Sequence, residues 1–595
     1  MKKTKLLYSM TLVLLACLAN SCNFGNLDIQ PINILTSDQV FESETTIDAY
    51  MASLYDALPW EDFNYFGYLG QLSNHTDESI SSLEGQRNRR GILDGTETGW
   101  WGYAAVRNVN DFIERIPTAN IGDALKATLT GEAKFIRAFY YFSMVKRYGG
   151  VPIITNVQDF TGNNITELQV PRNTELEVYD FIASDLDEAA ILLGESSAKG
   201  RVTKYVALSL KSRIMLYAAS SAKYGRVLLN GIVGIPATEA PRLWTAAFEA
   251  AKAVISSGKY SLYEKNPDKI TNYQQLFLDE DNPEAILAKY FSYPDKGHSY
   301  DVWALPFAVR SPEGYGSAIN PTLEFVEHFE NLDGSLTPLD IGTPTNPVFY
   351  KNPMDLYVDK DPRLLASVIV PFSDWRGNTI DVQAGIYDLG VKYEAGDYSA
   401  LFNVSTHKPD PSGTLHIVGR NGLGGSEKTQ TGFYVRKYLN SNVDQGLAKI
   451  NALTQPWLGI RYAEVLLNYA EAAIELGNAS EAANKLNLVR SRAGISKLAD
   501  NEVSIDRVRH ERLVELAFES HTWWDYRRWH IADVMFNNTW MTALKPYYDV
   551  QKDAYRFERE RTGVYPKTFD VRVYQERIDP AEMAKNPMLI QNPNY

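Results

Sequence analysis

Cysteine is almost absent: the 595 residues hold two, Cys17 and Cys22. Both lie at the very start of the chain, so no internal disulfide can form once a leader is removed, and no cysteine nucleophile can be argued. Basic charge is in deficit, with 59 Lys+Arg against 73 Asp+Glu and a net charge of −14, which makes nucleic acid a poor partner. Histidine is sparse, at eight residues. His510-Glu511 begins like a zincin motif, but the second His would have to stand where Val514 is, and the other histidines show no ligand spacing. No Gly-x-Ser-x-Gly run occurs. Gly422-Leu423-Gly424-Gly425 lacks the third Gly of a dinucleotide loop and the Gly-Lys-Ser/Thr of a phosphate loop. After the first two dozen positions there is no uninterrupted run of 18 apolar residues, so nothing later spans a bilayer as a helix.

The start of the chain is informative. Lys2, Lys3 and Lys5 precede an apolar stretch over 6–18, too short to span a bilayer, which reads as a signal peptide over 1–21. It ends Leu18-Ala19-Asn20-Ser21-Cys22, which resembles a bacterial lipobox and makes Cys22 the expected acylation site. Losing the three lysines leaves a mature charge of −17. Two or more acyl chains give stable anchoring, so the expectation is a water-soluble body tethered to a membrane. Composition fits a globular body, with 45% hydrophobic and 22% charged residues. Aromatics are abundant, with 36 Tyr, 24 Phe and 11 Trp, more than folding alone requires, so some of these rings are expected to face a ligand.

Helical periodicity comes in pairs. Residues 44–58 pair with 98–116, 125–148 with 174–193, 203–222 with 244–257, and 461–476 with 480–493. The last pair spans 34 residues, the period of a tetratricopeptide repeat, with Ala470 and Ala482 where helices approach closely. Phe135, Ile136, Phe139, Tyr140, Phe142 and Val145 cover more than one face of their helix, which is expected to lie between neighbours. From 262 to 456 the chain is dense in Gly, Pro, Asp, Asn and Tyr, with short β-like runs at 285–288, 367–370 and 433–438. The expected organisation is a tether at 22–37, a helical region at 38–261, an inserted loop-rich subdomain at 262–456, and a helical region with a tail at 457–595. Recognition is expected in the long loops.

Several segments carry a resemblance. They are 131–142 with Phe135, Arg137 and Phe139, then Tyr148-Gly149-Gly150-Val151-Pro152; 177–186; Asp361-Pro362-Arg363-Leu364; 432–438; 461–472; 487–494; 509–519; and 524–529 with Trp524, Asp525 and Trp529. In this order, and behind a lipobox, they resemble the SusD/RagB family of outer-membrane lipoproteins. The resemblance implies a mainly α fold, four tetratricopeptide-like helix pairs in a right-handed superhelical scaffold with an irregular insert containing short strands. It also implies a surface-exposed, lipid-anchored protein that captures an oligosaccharide or polysaccharide for a SusC-like TonB-dependent transporter. Peptide cargo, as in RagB-like members, and hydrolysis of the glycan remain alternatives. No cofactor is implied, and a structural calcium ion is left open.

Glu511, Glu515 and Glu519 recur every four residues with Asp525 just beyond. Glycosidases need two carboxyl groups opposed across a substrate, roughly 5 Å or 6.5–9.5 Å apart. A ladder on one face offers poor opposition, and Arg509, Arg512, Arg527 and Arg528 stand ready to neutralise it. Non-catalytic binding needs only flat rings for a sugar's C–H face and polar groups for its hydroxyl rim. The expected ligand residues are Tyr293, His298, Tyr300, Asp301, Trp303 and Tyr315 in one stretch, Asn88, Arg89 and Trp100 in a second, and Trp375 in a third. For Trp303, plugging the subdomain core together with Phe307 is an equal expectation, and at least one of Trp100 and Trp101, which open a helix, is expected to be buried against the first helix pair.

Overall fold

The computed structural model describes residues 37–65, 71–83 and 93–595. The leader, Cys22, the tether as far as residue 36, and Asn88 and Arg89 lie outside them.

The four helix pairs are present. They are α1 (Glu44–Asp56) with α2 (Tyr103–Arg115), α3 (Asp123–Tyr148) with α4 (Glu175–Leu192), α5 (Lys204–Tyr224) with α6 (Ala240–Ser256), and α7 (Tyr462–Glu475) with α8 (Ala479–Ala493). Local chemistry sets several of their ends. Ser43 and Thr203 accept from backbone amides of the first turn, Thr174 forms a capping box with Glu177, and Gly494 closes α8 at a left-handed φ of 89°. Gly131 lies inside α3 because a Cβ there would meet Leu192 and Leu193 of α4 and its cap at 3.0 Å. Helices α3 and α4 therefore approach closely, and α3 is buried on nearly every side from Gly131 to Tyr148. Buried ion pairs fasten the layers. Arg137 of α3 grips Asp185 of α4 through two bonds of 2.7 and 2.8 Å.

Helix α4 packs on α5 and α6 packs on α7, so the fourth pair stacks directly on the third although 257–461 intervene in sequence. The intervening chain is an insert with a closed neck: Ala285–Lys289 runs antiparallel to Trp457–Arg461. The β-like runs at 367–370 and 433–438 also meet, as Val368–Ile369 against Tyr434–Val435. Within the insert, Ile386, Phe402, Ile417 and Val418 form a small core of their own.

Two features differ from expectation. Residues 98–102 precede α2 instead of opening it, because Thr98 is held by Glu576, Arg147 and Tyr65, and Gly102 is the cap. The C-terminal region also carries a long hairpin, Thr539–Asp549 against Ala554–Lys567, whose first strand pairs in parallel with Gly385–Asp388 of the insert. The hairpin joins the tail to the insert. Its alternation was masked by Pro546, which faces Phe557 across the ladder, and by its charged outer face.

Candidate functional site

After the neck strand Ala285–Lys289 the chain forms a short, mostly buried helix, Tyr300–Ala304. Residues 305–317 then make a loop closed at its base by main-chain bonds, Ser317 N–H to Leu305 O at 3.0 Å and Ala318 N–H to Trp303 O at 2.9 Å. That closure brings Trp303 and Tyr315, twelve positions apart, to ring centroids 4.8 Å apart at 57°. Trp303 is half-buried and Tyr315 is 42% exposed. The pair therefore has one side on the body and one toward water. Both the core role and the ligand role expected of Trp303 are compatible with that placement.

Beside the pair, Phe307 lies under the Arg310 guanidinium, 4.2 Å from the ring centroid, with Lys428 Nζ at 5.0 Å on the same ring. Arg310 also pairs with Glu427, and the Asn421 amide oxygen accepts the Ala308 N–H at 2.8 Å. A second wall, residues 420–430, is thus tied to the loop. Asn320–Pro321 pairs with Ser79–Ile80, and the Ser82 N–H bonds to Ser317 O. The segment that precedes Asn88 and Arg89 accordingly comes up against the base of the Tyr315 loop.

Several expected ligand residues are buried instead. Tyr300, 2% exposed, donates its hydroxyl to Lys437 O at 3.0 Å. His298 is fully buried against Phe63, with centroids 4.3 Å apart. Its Nδ1 accepts the Tyr300 N–H while Nε2 donates to Gln455 O, which makes it neutral, and burial pushes its pKa down to about 3. The buried Asp301 carboxylate accepts from Gln455 Nε2 at 2.5 Å and from the Asn440 N–H at 3.2 Å, and burial raises it to about 7. These three residues point into the body and do not reach solvent. Trp375 is also inside, 4% exposed, below a tight hairpin whose Arg376 and Gly377 both take positive φ. Expecting these four as ligand contacts was an error of direction: polar and aromatic residues near a loop can point into the body as readily as out of it.

Tyr293 is 67% exposed on a turn closed by Ser292 and Lys296. Trp100 is half-buried, with its ring 5.7 Å from that of Tyr140. Neither makes a ring contact with Trp303 or Tyr315 among the described residues. Arg310, Glu427 and Lys428 were missed because their partnership spans more than 100 positions and no local pattern marks it.

The carboxylate ladder is internal. Glu515 is bonded to Arg461 at 2.6 Å, Arg363 at 2.8 Å and Arg492, while Glu511 is bonded to Arg363 at 2.6 Å and Arg490 at 2.9 Å. Burial alone would raise Glu515, but the guanidiniums of Arg492, Arg461 and Arg363 hold it far below the usual carboxylate range. Glu519 bonds Arg461 and Lys437, and Asp525 bonds Arg512 and Arg528. The neutralising arginines are thus mostly ones distant in sequence. These carboxylates are buried and locked to cations.

A sequence model of the SusD family matches residues 283–595, and one described as "Starch-binding associating with outer membrane" matches 26–216. A SusD-like protein of Bacteroides ovatus is 25% identical over 90% of this chain and 85% of its own length. SusD-like protein P38 of Formosa agariphila is 23% identical over 89% and 92%. Among solved structures, a SusD-like protein of Bacteroides fragilis superposes with a TM-score of 0.70 at 24% identity, covering 95% of this chain and all of the other. A SusD-like carbohydrate binding protein of the same species gives 0.68 at 21%, covering 93% and 100%.

Proposed function

This chain belongs to the SusD family, and on that premise we propose that it is a non-enzymatic, lipid-anchored surface protein that captures a glycan and passes it to a SusC-like TonB-dependent transporter in the outer membrane. The observation that carries the reading is the Trp303–Tyr315 pair, set 4.8 Å apart on a loop closed at its base and left partly open to water. A pyranose lays its C–H face on such rings, and the neighbouring charged and amide groups meet its hydroxyls. In this reading Asn88 and Arg89, which lie outside the described residues, are further expected ligand residues and Cys22 is the anchor. Binding without hydrolysis is supported by the acids present: a glycosidase needs a raised carboxylic acid at the substrate, whereas Glu511 and Glu515 are held in the opposite direction and Asp301, which is raised, is 2% exposed and bonded to Gln455 and Asn440.

The test is incubation of the mature protein with a panel of polysaccharides, reading retardation in affinity gels and new reducing ends together. Retardation by at least one polysaccharide with no product is the expected result. Steady release of reducing ends would overturn the reading.

A further inference from the structure

A concavity lies away from the Trp303 loop, where the chain's tail crosses the start of α2. It has a volume of about 260 Å³ and shares no lining residue with the Trp303–Tyr315 loop. Its wall is aromatic: Trp101 is half-buried, edge-on to Tyr148 with centroids 5.1 Å apart, and leans on Tyr103 at 5.2 Å. Tyr103 spends its hydroxyl on Pro152 O at 2.6 Å, so it presents ring carbon and no free polar group. Ile154 and Leu168 continue the apolar floor, and Ile165, 56% exposed, stands at the lip.

The rim is built of amides whose nitrogens are committed. Gln169 Nε2 donates to Lys585 O at 3.0 Å and Gln158 Nε2 donates to Leu168 O at 3.4 Å, which leaves each Oε1 without a donor among the described residues. Asn586 Nδ2 donates to Val170 O at 2.8 Å and ties the tail across the end of the groove. The one charged pair on the rim neutralises itself, Lys585 Nζ to Glu582 Oε1 at 2.6 Å. An aromatic wall, free amide acceptors and no net charge match an uncharged polyhydroxylated ring and disfavour an anion or a cation. The volume lies just under the roughly 300–1,000 Å³ of sites for drug-sized ligands, so it suits one or two rings and not a long segment.

We propose that this groove is a second saccharide subsite, in which one pyranose stacks on Trp101 and donates hydroxyl hydrogens to the Gln158 and Gln169 carbonyl oxygens. The inference takes its ligand class from the proposed function. A second contact on the same chain would raise the apparent affinity for a long polysaccharide through effective concentration, with no change at the first site.

The test uses the whole chain in detergent micelles, labelled with 5-fluorotryptophan, with the Trp101 and Trp303 resonances among the eleven tryptophans assigned by single Trp→Phe variants. The probes are methyl glycosides of glucose, galactose, mannose and xylose, and oligosaccharides cut from whichever polysaccharide the gels identify. The expected result is a saturable shift of the Trp101 resonance that persists in Tyr315→Ala, where the Trp303 resonance no longer responds. Gln169→Ala should weaken the Trp101 isotherm about fivefold, the worth of one hydrogen bond. Ile165→Trp, at an exposed lip position that leaves the fold alone, should abolish it by filling the groove. A Trp101 resonance that stays fixed while Trp303 titrates overturns the second subsite and leaves the first standing. A Trp101 shift with a silent Trp303 supports the subsite and overturns the assignment of the first site. Silence of both with every sugar overturns both.

Discussion

Glu515→Gln is the most informative single substitution for the scaffold, because Glu515 is the acceptor on which Arg461, Arg363 and Arg492 converge, and all four side chains are at most 1% exposed. Those arginines come from the insert neck, the insert itself and α8, so one carboxylate ties three stretches distant in sequence to the end of the helix Ile505–Glu515. Removing its charge leaves buried guanidiniums unbalanced, a change that costs about 4 kcal/mol. With unfolding entropy near 2 cal/mol/K per residue, a body of this size has an unfolding entropy of about 1.1 kcal/mol/K, so the midpoint should drop by about 4 °C. Asp180→Ala serves as the control, because its pair with Arg242 is half exposed on both sides. Such pairs are worth under about 1 kcal/mol, so it should move the midpoint by less than about 1 °C. Differential scanning fluorimetry of the three proteins in parallel makes the comparison.

The pH dependence adds a second readout. The folded Glu515 lies below its ordinary value near 4.5, so its stabilisation is whole above that pH and drains away as pH falls toward the folded value. The gap between wild type and E515Q should be constant from pH 8 to 5 and narrow below about pH 4. Equal shifts for Glu515→Gln and Asp180→Ala, or a gap that widens in acid, would refute the reasoning.

Further outcomes follow from the packing. Leu466→Asp places an unpaired charge at a position with no exposure in α7, a helix that packs on the third pair, and should abolish cooperative unfolding in circular dichroism scans. Trp375→Ala should lower stability by about 3–5 kcal/mol, because it empties a buried site, yet leave polysaccharide retardation per folded molecule unchanged. Loss of retardation without loss of stability would restore Trp375 to the ligand surface.

The helix pairs were legible because each buries a stripe at helical spacing and carries its own stop and start signals, such as Thr174 with Glu177 and the closing Gly494. The expected structural role of the acidic ladder was legible for a related reason, since closely spaced carboxylates need cations nearby; only Glu511 and Glu515 share the helix Ile505–Glu515, and Glu519 lies in the turn beyond it, so the expected single helical face holds for two of the three. Which cations was not legible: Arg363 and Arg461 reach Glu515 from 152 and 54 positions away. At the candidate site, composition marked a stretch rich in rings but not the direction of each ring. Tyr300 and Trp303 are three residues apart on one short helix, yet the first is buried under Lys437 and the second is half open. A five-residue helix is too short for periodicity to separate its inner face from its outer one. The pairing of Trp303 with Tyr315 rests on a loop closure whose two bonds at the base, Ser317 to Leu305 and Ala318 to Trp303, join backbone groups, which side-chain patterns do not encode.

The claim on which the functional account turns is that the Trp303–Tyr315 pair grips the glycan, and isothermal titration of wild type and Tyr315→Ala against the polysaccharide that retards the protein tests it most directly. Tyr315 is 42% exposed, so its removal should leave the unfolding midpoint within about 1 °C while affinity falls at least tenfold, the loss of a stacked ring worth about 1.5 kcal/mol or more. An unchanged affinity in a folded Tyr315→Ala protein would contradict the account.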